Sequence, residues 1–193
     1  MADFITQRYS KKGLWSLFLI CAFPPHLWTL IFAFRDISWL TERTNLWDAI
    51  GVVSYGMIFA FVESVVIFLV LALLGLILPA QWYSDRRIAF LSLLILLTSV
   101  WGMISQLLLV WSVPLPIQAI RFLRSSNHPL RMLYAACLVV VTPTILLPVY
   151  LFIKSKQSIA FMQDLIERLS LLATFYLFFD FVGLIIVMIR NIN

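Results

Sequence analysis

From Asn45 to Pro79 the chain reads NLWDAIGVVSYGMIFAFVESVVIFLVLALLGLILP, and after Asp48 this run holds one carboxylate, Glu63. A backbone in hydrocarbon must satisfy its own N–H and C=O groups, so such a run has to be a helix. Residues 58–77 include fifteen Leu, Ile, Val or Phe. Each favours insertion by about 0.3–0.6 kcal/mol, against about 2.5–3.5 kcal/mol for a charge at the bilayer centre. The segment therefore inserts despite its acid. Insertion tolerates Glu63 but does not explain it.

The rest of the chain has the same character. Its residues are 63% hydrophobic and 12% charged, with a mean hydropathy of +1.01. A soluble domain carries about 25% charged residues, so too few polar groups exist here to cover a water-facing surface. Four further apolar runs bracket the first, and the spans fall at about 14–34, 49–78, 88–113, 132–153 and 169–189. The expected fold is all-α: a single transmembrane domain over 1–193, an integral membrane bundle of five transmembrane helices. Short interfacial helices are expected in the 35–48 and 114–131 connections. In the first, Ile37, Leu40, Thr44 and Trp47 fall at helical spacing, and in the second Arg121 and Arg124 oppose Ile117 and Ile120. Thr44 or Asn45 is expected to cap the second span. That span is longer than the hydrocarbon core, and its excess is expected at the Trp47–Tyr55 end. Trp15, Trp47, Trp82 and Trp111 mark interfaces.

The basic start, with Arg8, Lys11 and Lys12 ahead of LWSLFLICAF, has the look of a signal sequence. Its apolar run continues without a small-x-small cleavage site, so it is expected to stay as the first span. Five spans place the termini on opposite sides. Arg8, Lys11, Lys12, Arg86, Arg87, Lys154, Lys156 and Arg168 share the N-terminal side, and Arg35, Arg43, Arg121, Arg124, Arg131 and Arg190 the other. The balance of eight to six favours a cell-membrane protein with its N-terminus in the cytoplasm. The net charge of +5 is scattered between apolar runs, which suits anionic lipid headgroups and argues against nucleic acid. Cys21 and Cys137 lie at depths about 10 Å apart by helical rise, beyond the roughly 7 Å a disulfide spans between Cα atoms. Two free thiols are expected.

Three ionisable residues fall near span centres: His26, Glu63 and Asp180. Each sits on a stripe of small or polar residues. On span 1 the stripe is Ala22, His26, Thr29 and Ala33. On span 2 it is Gly56, Ala60, Glu63 and Ser64, and on span 5 it is Ala173, Tyr176, Asp180 and Gly183. Span 3 shows Thr98, Gly102, Ser105 and Gln106. Small residues let helices approach, and polar ones seek partners away from lipid. The stripes are therefore expected to face one interior, with His26, Glu63, Gln106 and Asp180 at similar levels as candidates for binding an ion or polar solute. Pro143 and Pro148, beside Thr142, and Pro24-Pro25, beside His26, free backbone carbonyls that a kinked helix could offer to such a site.

The chain has no HExxH, paired CxxC, Walker-type loop or GxGxxG. Two histidines and two cysteines do not build a usual metal site, and no cofactor is expected. Nothing beside Glu63 or Asp180 resembles a protease pattern, so an intramembrane acid–base enzyme is not the expectation. Two readings of the polar interior stand. In one it transports or conducts a proton, cation or small polar solute, with a homo-oligomer enlarging the cavity. In the other it is a hydrogen-bonded network fixing helix packing in a structural or accessory subunit, completed by partner membrane subunits.

Overall fold

The computed structural model describes residues 8–110, 114 and 116–192. Among the described residues six helices follow in order: α1 (Lys11–Arg43), α2 (Leu46–Ile77), α3 (Ser84–Val110), α4 (Ile117–Arg124), α5 (Pro129–Lys154) and α6 (Lys156–Ile192). All but α4 are long and apolar enough to cross a membrane, consistent with a multi-pass membrane protein. The expected five-span helical class holds. Trp111, the expected interface marker of the third span, lies outside the described residues.

The helices are longer than hydropathy alone marks out. Residues 35–43 extend α1, so the amphipathic stretch of the first connection is a continuation and not a separate helix. The polar run after Lys154 is likewise helical, and α6 reaches 37 residues, about 55 Å at 1.5 Å per residue. Charge places such segments outside hydrocarbon but does not stop a helix. Asn45 caps α2, its side chain accepting from the Asp48 N–H at 2.8 Å. Ser10 caps α1 in the same way through the Gly13 N–H. Pro129 opens α5, where its missing N–H has no helical partner to lose. The second connection does hold its short helix, α4.

Helix α1 is the centre of the bundle, packed against α2, α3 and α6, while α2 and α6 also pack on each other. One half is an apolar core: Leu17, Ile20 and Cys21 of α1, Leu71 of α2, Ile88, Leu91 and Ile95 of α3, and Met162 and Ile166 of α6. Phe152 is the buried residue that α5 contributes, and α5 is otherwise a lipid-exposed outer helix. The far half is tied at its end, where Arg190 of α6 donates to Asp48 of α2 at 2.7 Å and to the Trp47 carbonyl. Cys21 is buried and Cys137 exposed, and both thiols are free.

Near the N-terminus, Tyr9 packs onto α2 at Gly75, its hydroxyl donating to the Ala72 carbonyl at 2.9 Å. Burial pushes this phenol above its ordinary range, against the opposing pull of Arg87 and Arg8, so it remains a donor at physiological pH. A Cβ at position 75 would run into the Tyr9 hydroxyl and lie 2.8 Å from Leu91 Cδ1. Gly75→Ala is therefore expected to destabilise by about 1–3 kcal/mol, despite alanine's better helix propensity. Thermal unfolding checks this, and Tyr9→Phe in the same chain should recover part of the loss by removing the hydroxyl.

Candidate functional site

The prolines at 24 and 25 lack N–H groups, which leaves the Ile20 and Cys21 carbonyls without their helical donors. The helix runs on through both, and the next residue, His26, is fully buried. Its Nδ1 lies 2.6 Å from the Ala22 carbonyl oxygen. A carbonyl only accepts, so Nδ1 carries a proton and donates. Its Nε2 lies 3.0 and 2.9 Å from the two carboxylate oxygens of Asp180 on α6. An unprotonated Nε2 facing an ionised carboxylate would set two acceptors against each other. One proton must therefore lie between them, on the imidazole or on the acid. Either way the pair has no net charge, which is how it can be buried at mid-depth at modest cost.

Aromatic rings wall the pair. Tyr176 stacks on the His26 ring, with centroids 5.8 Å apart and planes at 11°, and Phe23 also stacks on Tyr176, at 6.1 Å. Small residues bring the helices this close. Ala22, Ala60, Ser64 and Ala173 are buried, and the Gly183 position lies against the Ser54 backbone. The stripes expected on spans 1, 2 and 5 thus do face the interior.

Glu63 and Gln106 do not join them. Both are exposed, which corrects the expectation of four polar groups at one shared site. Glu63 lies about 100° around α2 from Ser64 at 3.6 residues per turn, enough to carry it from the buried seam onto the outer face. Its neighbours there are Phe59, 67% exposed, and Val62 and Val66, each more than half exposed. It has no hydrogen bond or ion pair among the described residues. Gln106 lines a shallow groove of about 140 Å³ with Pro24, Pro25, Trp28 and Ile67.

The whole α3 stripe also faces outward: Thr98, Gly102 and Ser105 are exposed. Its hydroxyls need no interior. Thr98 donates to the Leu94 and Ile95 carbonyls and Ser105 to that of Gly102. The face of α3 that is buried carries Ile88, Leu91 and Ile95 instead. On α5, Pro143 and Pro148 lie inside a continuous helix, and Thr144 accepts from the Trp101 indole at 2.9 Å. Among the described residues no group of three or more His, Cys, Asp or Glu could hold a metal ion.

Reading the sequence overlooked Phe23 as part of the wall, and it overlooked a cleft of about 560 Å³ between the first turns of α1 and α3 and the middle of α6. The cleft's charged residues, Lys12, Asp85 and Glu167, come from three separate segments, so no local pattern reveals them. Compared with known proteins, the chain matches no family model, no curated protein and no solved structure.

Proposed function

We propose that this chain is a non-catalytic accessory subunit of a larger membrane complex, docked through the α2 face that carries Glu63. The observation that carries this reading is the placement of a carboxylate, without a polar partner, among outward-facing Phe59, Val62 and Val66. An ionisable side chain facing lipid at mid-depth is costly, and such residues normally meet a partner group. A second copy related by a two-fold axis through this face would set Glu63 against Glu63. A helix of another subunit bearing a cation or hydrogen-bond donor at that depth satisfies the acid.

Transport or conduction draws less support. The polar atoms of His26 and Asp180 satisfy each other and the Ala22 carbonyl, and Glu63 and Gln106 stand apart from them. The pair acts as a lock between α1 and α6. We place the protein in a cell membrane with its N-terminus cytoplasmic, the side that carries eight of the fourteen Lys and Arg.

Site-specific photocrosslinking in native membranes tests the reading. A crosslinker at Phe59 or Val66 should capture a discrete partner, and one at Val139 on outer helix α5 should not. Glu63→Leu should weaken capture about 10-fold, the scale of one interhelical hydrogen bond in a membrane of about 1–2 kcal/mol. Glu63→Gln retains capture if the partner offers a donor and loses it if the partner offers a cation. Capture at neither position, or capture indifferent to Glu63→Leu, overturns the proposal.

A further inference from the structure

The cleft between α1, α3 and α6 carries its charges at one end and uncharged residues, apolar and hydroxyl, at the other. At its rim lie Lys12, Asp85, Gln163 and Glu167. None of the three charged side chains has an ion-pair or hydrogen-bond partner among the described residues. The neighbouring Arg168 is already engaged by Asp164 at 2.9 Å. Further along α1 and α6 it is lined by Ser16, Leu19, Ser170, Leu171 and Thr174. From Gln163 to Thr174 the cleft follows α6 for about 16 Å, a distance that carries it from headgroup level into hydrocarbon.

The opening and the size of the cleft point to an occupant. Ser170 lines it, but the hydroxyl of this residue is inaccessible to solvent, and the Thr174 hydroxyl is satisfied by the Ser170 carbonyl. The flanks carry Trp15, 55% exposed, and Leu171, 65% exposed, so the cleft opens sideways toward lipid. A volume of about 560 Å³ is that of an ordinary small-molecule site.

From these residues we infer that the cleft binds a phosphate ester bearing a primary ammonium, as the headgroup of a zwitterionic membrane lipid with its acyl chain along Leu19 and Leu171. Asp85 and Glu167 accept from the ammonium, which has three protons to donate. Lys12 faces the phosphate. Two acids against one lysine select a headgroup with a cation over a purely anionic one. A quaternary ammonium carries no N–H and is read less well. The apolar surface of Leu19 and Leu171, on the side that opens toward lipid, is what favours the lipid over the free headgroup. This inference is independent of the Glu63 face, which lies on α2 and lines no part of the cleft.

Native mass spectrometry of the full-length protein in detergent tests it, by titration with phosphatidylethanolamine, phosphatidylcholine and phosphatidylglycerol of identical acyl chains. The ethanolamine lipid should bind at least about 5-fold more tightly than either of the others. Glu167→Gln and Asp85→Asn should each reduce that preference several-fold without changing the melting temperature, since both side chains are exposed. Lys12→Ala should weaken all three lipids. Equal binding of the three, or well-folded acid variants with an unchanged preference, overturns the inference. Soluble phosphoethanolamine binding as tightly as the lipid overturns the lipid assignment.

Discussion

Asp180→Leu is expected to destabilise the folded bundle by about 1–3 kcal/mol, the cost of stranding a buried polar group. The stranded group is His26, which has no exposed surface. Its Nδ1 is already committed to the Ala22 carbonyl, so Nε2 has nowhere else to turn. Asp180→Asn is expected to cost less. The amide keeps the shape and can donate to Nε2, with the imidazole holding only its Nδ1 proton. The contact then keeps one hydrogen, now the amide's and no longer titratable, and the bundle should stay folded. Replacing both partners, His26→Phe with Asp180→Leu, should recover much of the single-variant loss, because it leaves no buried polar atom unpaired. Thermal unfolding in detergent of the two singles and the double measures the coupling. If the double loses the simple sum of the singles, the pair is not a lock.

That His26 and Asp180 face an interior was legible from sequence, because their polar ends need partners beyond their own helix, but that they pair with each other and leave out Glu63 and Gln106 was not. His26 uses Ala22 for one nitrogen and needs another helix for the second. Hydroxyls carry no such message. Ser54, Ser64, Thr98, Ser105 and Thr174 all donate to a carbonyl of their own helix. Of these, Ser64 is buried and Thr98 is exposed, with nothing in the hydrogen bond to distinguish them. The stripe on α3 therefore resembles the one on α2 and faces the other way. Glu63 misleads for a different reason. It adjoins the buried Met57, Ala60 and Ser64 seam but lies on its flank, and a flank position takes its environment from whichever helix packs there. In this chain none does. The five spans were readable from hydropathy, whereas the extension of α1 to Arg43 and the early start of α6 were not, since charge marks only where hydrocarbon ends.

Arg87→Met is expected to be as damaging as the loss of Asp180, for a reason located at the end of α2. That helix stops before Pro79 with no glycine after it to fold back and satisfy the last carbonyls. One guanidinium supplies donors at that end, and a second holds the turn that follows it. Arg8 donates to the Leu76 and Leu78 carbonyls at 3.0 and 2.8 Å. Arg87, fully buried, donates to the Pro79 carbonyl at 3.1 Å, more distantly to that of Trp82, and to that of Arg8 itself. Both cations sit where the partial negative charge of the helix C-terminus favours them. Methionine keeps the apolar stem against the Tyr9 ring, 5.6 Å from the guanidinium, but removes the charged hydrogen bonds to three carbonyls, of which that of Pro79 keeps the Trp82 N–H at 3.1 Å. Hydrogen bonds to a charged group contribute about 1.5–3 kcal/mol, so a loss of that order is expected. Arg87→Lys should recover only part, since one ammonium cannot span the carbonyls that the planar fork bridges. Arg86→Met provides the comparison. Arg86 reaches a single carbonyl, that of Ile153, and lies over the Trp82 ring, so its loss should be smaller. Melting temperatures rank the three, and limited proteolysis across the Pro79–Ser84 turn should show faster cleavage in Arg87→Met alone. An Arg87→Met protein that melts with the wild type would mean that the turn after α2 does not depend on the guanidinium.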